Sequence, residues 1–241
     1  MIVNSLAETV RSLIFSNSDV VHMPDLRRST LLFSQGQPAD SLYFLEHGLV
    51  KLTRTNNRGG RIILGLRGAG EIVGEEALSS TNTATSAEAE IISPSAVFRI
   101  PKATLQAAVA QHAELAAGFL TYLLESRSAL AEKVELLCLH DVEFRVLHYL
   151  RKLSAVVPQI ADGSGSYQIP ITQLELADLI GATRETTSTV LNQLERRGLV
   201  QLSRRMLTVN SAEALETALE TVKEAPPRRT VSASADSSAA V

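Results

Sequence analysis

The feature that most restricts this chain is a change of hydrophobic period near Pro101. Before it, short alternating runs are cut by glycine. They are Ser29–Ser34, Ser41–Leu45, Leu49–Arg54, Arg61–Leu66 and Ala96–Ile100, with breaks at Gln35-Gly36, His47-Gly48, Asn56-Asn57-Arg58-Gly59-Gly60 and Gly68-Ala69-Gly70. A two-residue period gives each run one buried and one wet face, so these runs predict an antiparallel β-sandwich, jelly roll or barrel. After Pro101 the chain reaches Leu139 with no further proline and one glycine, Gly118. That pattern predicts a long helix with proline in its first turn. The fold class is therefore α+β, with sheet first and helix second. Residues 1–28 carry a weak helical period and then a turn signal at Pro24.

Within the long helix, Ala116, Leu120, Leu123, Arg127, Leu130, Val134 and Leu137 recur at alternating four- and three-residue steps. This is the spacing of a coiled-coil seam with one charged interruption. Either the stripe packs on the chain's own core, or it pairs with a second copy across a twofold axis. Beyond it, Asp141–Leu153 reads as an amphipathic helix through Val142, Val146, Tyr149, Leu150 and Leu153. A Gly/Ser loop at Asp162–Ser166 follows, then two helical patterns, a short hairpin and a helix from about Ser211 to Val222. The closing APPRRTVSASADSSAAV is too polar to offset the cost of ordering, so disorder is expected over 223–241.

Composition excludes several classes. The one cysteine, Cys138, cannot form an internal disulfide, an iron–sulfur cluster or a multi-cysteine zinc site. Its place on an apolar helix predicts a buried structural thiol. His22, His47, His112, His140 and His148 show no metal-ligand spacing, and no metal site is expected. There is no nucleophile elbow and no Walker loop, so an enzyme is not expected. The start, MIVNSLAETVRSLIF, lacks the basic, apolar form of a secretory signal. No run approaches ~18 apolar residues. A cytoplasmic protein with no membrane partner is expected. The net charge of −3 over 241 residues announces no polyanion partner, so nucleic-acid binding must rest on local motifs.

One stretch supplies such a motif: ITQLELADLIGATRETTSTVLNQLERRGLV, Ile171–Val200. Thr172 and Glu175 have capping-box spacing. Leu176, Ala177 and Ile180 mark the buried face of the helix they open, and Gly181 stands where that helix must stop with positive φ. Thr183 is placed to cap a second helix. Two helices joined by a short glycine turn form a DNA-binding helix-turn-helix. The second helix would bury Val190, Leu191 and Leu194 and present Arg184, Glu185, Ser188 and Thr189 to a major groove. Arginine can donate twice to guanine and glutamate can accept from cytosine. Between Leu179 and Asn210, five arginines (Arg184, Arg196, Arg197, Arg204 and Arg205) face two acids (Glu185 and Glu195), a local charge of 5 − 2 = +3. Leu199–Leu202 and Met206–Val209 alternate around Ser203-Arg204-Arg205, which predicts a wing with a basic tip. Thr172, Thr183, Arg204 and Arg205 are the expected phosphate contacts.

A roll, a seam helix and a winged helix-turn-helix in this order resemble the CRP/FNR family of bacterial transcription regulators. The resemblance is carried by SLYFLEHGLVKL (Ser41–Leu52), GEIVGEEAL (Gly70–Leu78) and GATRETTSTVLNQLERRGLV (Gly181–Val200), and covers about residues 15–222. It implies a β-roll that senses an effector over 1–100, a long dimerisation helix over 101–140, and a DNA-binding domain over 141–222. It implies a homodimer paired through Leu120, Leu123, Arg127, Leu130, Val134 and Leu137, a hinge at Asp141, a pseudo-palindromic DNA operator, and RNA polymerase as a partner. Arg184, Glu185 and Ser188 match base-reading positions, whereas Thr189 stands where an arginine is common; that fork discriminates by ~1–3 kcal/mol.

The effector pocket implied by the resemblance would involve Gly74, Glu75, Thr85, Ser86, Leu130 and Ala131. Thr85-Ser86 replaces the family's Arg-Ser pair, and Leu130-Ala131 replaces its adenine-facing hydroxyls. A buried phosphate without a cation is costly, so cyclic AMP in the usual pose is not expected and the cofactor stays open. Two alternatives also stay open: an effector module acting through protein contacts, and a haem-based gas sensor of the same family.

Overall fold

The computed structural model describes residues 2–81, 83–157 and 165–224. Residues 223 and 224, expected to open a disordered tail, instead end a helix; the rest of that expectation, from 225 on, lies outside the described residues, as does most of the Gly/Ser loop. Two four-stranded antiparallel sheets build the N-terminal half. The first has the order β1 (Val21–Leu26), β8 (Ser95–Pro101), β3 (Ser41–His47), β6 (Ile72–Val73). The second runs β2 (Leu31–Phe33), β7 (Glu88–Ile91), β4 (Val50–Thr55), β5 (Arg61–Arg67).

The central strand β3 shows how the layers form. Tyr43 and Leu45 point between the sheets, with Val50, Leu52, Ala89, Ile91 and Val97. Leu42 and Phe44 point the other way, against Leu6, Val10, Ile14, Leu105, Leu115 and Phe119 on helices α1 (Ile2–Ser16), α2 (Lys102–Gln111) and α3 (Ala113–Leu139). The alternation in sequence therefore separates two cores, and the outer face of this strand is dry because helices cover it. Gly118 admits the closest approach of α1 to α3: a Cβ there would lie 3.0 Å from Leu6 Cδ1.

Three local expectations change, and one strand appears that no alternation announced. The first residues are helix α1 and then strand β1, which passes through Pro24. It does so on a sheet edge, with a register break between Met23 and Leu26 and φ of 59° at Asp25, where a missing N–H is tolerated. The single helix over 101–140 is two helices, broken at His112, whose φ and ψ of −122° and 98° are extended. Strand β7 has only two apolar residues, Ala89 and Ile91, yet both are buried between its neighbours. Cys138 is exposed rather than buried; at that end of α3 the inward stripe is Lys133 and Leu136, and Cys138 faces away from it.

The C-terminal half packs around α4 (Val142–Leu153), whose residues 144–150 are all buried. Around it lie α5 (Gln173–Ile180), α6 (Arg184–Arg196), α7 (Ala212–Glu224) and a sheet of order β10 (Val200–Leu202), β11 (Leu207–Val209), β9 (Tyr167–Ile169). Strand β9, hidden from a reading of three residues alone, is pinned by the Tyr167 hydroxyl donating to Leu150 O at 2.8 Å.

Candidate DNA-binding face and effector cavity

Each joint of the helix-turn-helix has a local cause. Thr172 Oγ1 accepts from the Glu175 N–H at 3.1 Å, and the Glu175 carboxylate accepts from the Thr172 N–H at 2.9 Å. This reciprocal box satisfies two donors that a helix start leaves open. Gly181 ends α5 at φ 63° and ψ 45°. A Cβ there would also meet Leu137 Cδ2 at 2.5 Å, so both conformation and space demand glycine. Thr183 then caps α6, accepting from the Thr186 N–H at 3.2 Å. Upstream, Asp141 caps α4 by accepting from the Phe144 N–H at 2.9 Å.

Along α6, Val190, Leu191 and Leu194 are buried while Arg184, Glu185 and Thr189 are exposed and Ser188 is half-buried. The Thr189 hydroxyl donates back to Glu185 O at 3.0 Å. The wing hairpin is closed by Ser203 Oγ donating to Met206 O at 2.9 Å and is tied to α6 by the Leu202 N–H donating to Glu195. Arg204 and Arg205 are exposed at its tip. Among the described residues, no side-chain hydrogen bond or ion pair engages Arg184, Glu185, Arg204 or Arg205. Another arginine of the local cluster, Arg197, has a different fate: it pairs with Glu143 on α4 at 2.7 Å. Thr172 is committed too, its hydroxyl donating to Glu175 at 2.9 Å.

The proposed seam residues fall into two sets. Leu120 (61%), Leu123 (42%), Leu130 (54%) and Val134 (54%) are exposed along α3, and Leu124 joins them at 53%. Arg127 is exposed on the same helix. Leu137 instead packs beneath Gly181 of its own chain.

A cavity of about 570 Å³ opens where the roll, α3, α4 and α5 meet, within the usual range for small-molecule sites. Of the six pocket residues expected, Glu75, Ser86 and Leu130 line it; Gly74, Thr85 and Ala131 do not. Gly74 serves the backbone, at φ 85°, with Ser41 O only 2.8 Å from where a Cβ would stand. Thr85 is buried and donates to Ser34 O at 2.6 Å. Ser86 is held by Glu76 at 2.6 Å.

A cation does reach the cavity, from a place that motif comparison did not suggest. Arg67, at the end of β5, lies 3.8 Å from Glu71 and beside Tyr122 and Glu75. Among the described residues, its buried Nε has no hydrogen-bond partner. Burial pushes the carboxyls of Glu71 and Glu75 above the usual range, partly opposed by Arg67. The only signal in the sequence was a charge ending the alternation Arg61–Leu66.

A roll joined through a long helix to a winged helix-turn-helix with free arginines defines a DNA-binding regulator. Comparison agrees. A cyclic nucleotide-binding domain matches residues 24–112, and a Crp-like helix-turn-helix domain matches residues 144–218. The chain is 32% identical over 191 residues to the cyclic AMP receptor protein of Thermus thermophilus, covering 77% of this chain and 82% of that one. It is 27% identical over 191 residues to the CRP-like cAMP-activated global transcriptional regulator of Mycobacterium tuberculosis, covering 79% and 85%. FixK2 from Bradyrhizobium japonicum shares the fold at a TM-score of 0.71 and 20% identity, covering 82% of this chain and 96% of that one. The chain belongs to the CRP/FNR family of transcription regulators. No helix among the described residues is long and apolar enough to cross a membrane.

Proposed function

We propose that this regulator is a cytoplasmic homodimer that reads a pseudo-palindromic operator through α6 and the wing. The observation that carries the reading is the pair Arg184 and Glu185, exposed and unengaged at the N-terminal end of a helix whose other face is buried. A carboxylate beside a polyanion is a liability unless it reads a base, so specific readout fits better than phosphate holding. The exposed line Leu120, Leu123, Leu130 and Val134 supports pairing of α3 with a second copy, since a contiguous apolar stripe rarely stays wet. The functional division is a roll over 1–100, a dimerisation helix over 101–140, and a DNA-binding domain over 141–222. RNA polymerase would be the partner on DNA.

The cavity is proposed as the effector site, with an effector other than cyclic AMP in the usual pose. Two relatives carry cyclic AMP in their names, but Thr85 offers no cation here and spends its hydroxyl on backbone. Arg67 already faces Glu71 and Tyr122. Calorimetry should show no saturable binding at micromolar cyclic AMP; a submicromolar dissociation constant would reverse this assignment.

Selection from randomised DNA tests the main reading. The wild type should enrich half-sites about one helical turn, ~34 Å, apart. Arg184→Ala should cost ~1–3 kcal/mol and relax one base pair in each half-site. Arg205→Ala should weaken all sequences alike and lower the salt dependence by roughly one unit. Unchanged base preference in Arg184→Ala would remove α6 as the reading helix.

A further inference from the structure

Helix α5, the first of the helix-turn-helix, is held at both ends by groups from outside the DNA-binding unit. At its N-terminus, Glu175 accepts from Arg28 Nη2 at 3.1 and 2.8 Å and from Lys51 Nζ at 2.9 Å. Both cations come from the roll: Arg28 precedes β2 and Lys51 lies on β4. Arg28 Nη1 donates to Ile92 O at 2.6 Å within the roll and to Pro170 O at 2.7 Å beside α5, so one guanidinium spans the junction. Lys51 is buried and also pairs with Glu90 at 2.9 Å. Burial works against ionisation of Glu175, but Lys51 and the Thr172 N–H outweigh it and hold its carboxyl below the usual range.

At the other end, Lys133 of α3 donates from Nζ to Leu179 O at 2.6 Å, Ile63 O at 2.9 Å and the Tyr149 hydroxyl at 3.2 Å. Leu179 lies in the last turn of α5, where carbonyls lack intrahelical donors and a cation is favoured. Ile63 is on β5, so a single buried ammonium joins roll, α3, α4 and α5.

We propose that these two tethers position the recognition helix relative to the roll, with Glu175 as the residue both units share. Glu175 completes the capping box that starts α5 and at the same time is the counter-ion of the roll. Arg28 meets both Glu175 oxygens through one nitrogen while its other nitrogen bonds Ile92 O and Pro170 O, so the guanidinium is fixed in direction as well as distance. The tethers leave Arg184, Glu185, Arg204 and Arg205 exposed; they orient the DNA-facing side without masking it. The cavity reaches two of the three groups that Lys133 holds, since Leu179 and Tyr149 line it, together with the β5 residues Leu64–Arg67 that follow Ile63. A ligand there acts directly on the strand and helix that Lys133 joins. The inference rests on the DNA-binding reading of α6: a unit held in place before it meets DNA avoids the cost of being ordered on binding.

The test is a double-variant cycle in the full chain, with Glu175→Gln, Lys51→Met and both together, measured on the operator that the wild type selects. Glutamine keeps a capping-box acceptor but loses the charge. Each single variant should weaken binding about tenfold, within the usual range for coupling between sites. Base preference and helix content by circular dichroism should be unchanged. The double variant should bind no more weakly than the weaker single, because one tether breaks once. If Lys51→Met does not fold, Arg28→Met replaces it. Unchanged or tighter binding, losses that multiply in the double variant, or altered base preference would overturn this inference alone. A wild type that selects no DNA sequence would overturn the DNA-binding reading and this inference with it.

Discussion

The DNA-binding unit and the roll assemble their working surfaces in opposite ways. Arg184, Glu185 and Ser188 lie within two turns of one helix, and the helix-turn-helix that presents it is set by a capping box, a glycine and a threonine cap within twelve residues, Thr172 to Thr183. The cavity is bounded by residues from Leu6 to Leu179, drawn from α1, β4, β5, α3, α4 and α5. The first surface is made by local rules, because exposed side chains on a helix need only the helix. The second exists only after distant segments have packed. Its chemistry, including the cation Arg67, is therefore a tertiary property, and anything bound there would touch elements of both units.

The strongest way to break this contrast is to remove what both units share, the exposed face of α3. Leu123→Glu with Leu130→Glu places like charges along a stripe that is now apolar and exposed. Light scattering should report monomers. Operator affinity should fall by ~10²–10⁴, the usual gain from linking two binding modules. A dimer surviving in the double variant would exclude this face as the main interface. Full operator affinity from monomers would show that the DNA-binding unit needs nothing beyond its local structure.

The same contrast explains what could be read from the sequence. The α5–α6 turn was legible because Thr172, Glu175, Gly181 and Thr183 each act on a neighbour within a few positions. The sheet half was legible as a class, through alternation and glycine breaks, but not strand by strand. Pro24 argued for a turn, yet an edge position made a strand acceptable. Glu88-Ala89-Glu90-Ile91 carries little hydrophobic signal, and its glutamates gave no hint that Glu90 meets Lys51 across the sheet. The break at His112 has no proline or glycine to announce it. Cys138 looked buried because its helix is apolar on more than one side, and only packing decides which side turns inward.

A smaller effect, confined to one unit, sharpens the contrast. Gly181→Ala must hold a Cβ at positive φ and within 2.5 Å of Leu137 Cδ2. The conformation alone costs ~1–2 kcal/mol, and the contact adds to it. Hydrogen exchange should show α5 and α6 opening more readily, by at least ~10-fold in protection, with the strands of the roll unchanged. Leu137→Ala in the same chain should recover part of the loss. Equal weakening of the roll would mean that the two units unfold as one.

The smallest effect lies at the joint itself, and its sign follows from Lys133. Burial lowers the pKa of this ammonium to about 8, and the nearby charges of Lys152 and Arg145 push in the same direction. In the unfolded chain a lysine titrates near ~10.4. Below about 8 both states hold the proton, and Lys133 contributes a constant cost. Between about 8 and ~10.4 the unfolded chain binds more protons than the folded one, so stability must rise with pH, by at most ~1.4 kcal/mol per unit for one proton. The Tyr149 hydroxyl touching Lys133 opposes this only at higher pH, since burial raises its pKa to about 12 and an unfolded tyrosine ionises near ~10. The clean window is therefore about pH 8 to 9.5. Denaturant midpoints of the wild type should climb across it, while those of Lys133→Met should lack that component. If both chains climb equally, Lys133 keeps an ordinary proton affinity, and the ammonium that joins β5 to α5 is not held in a dry joint.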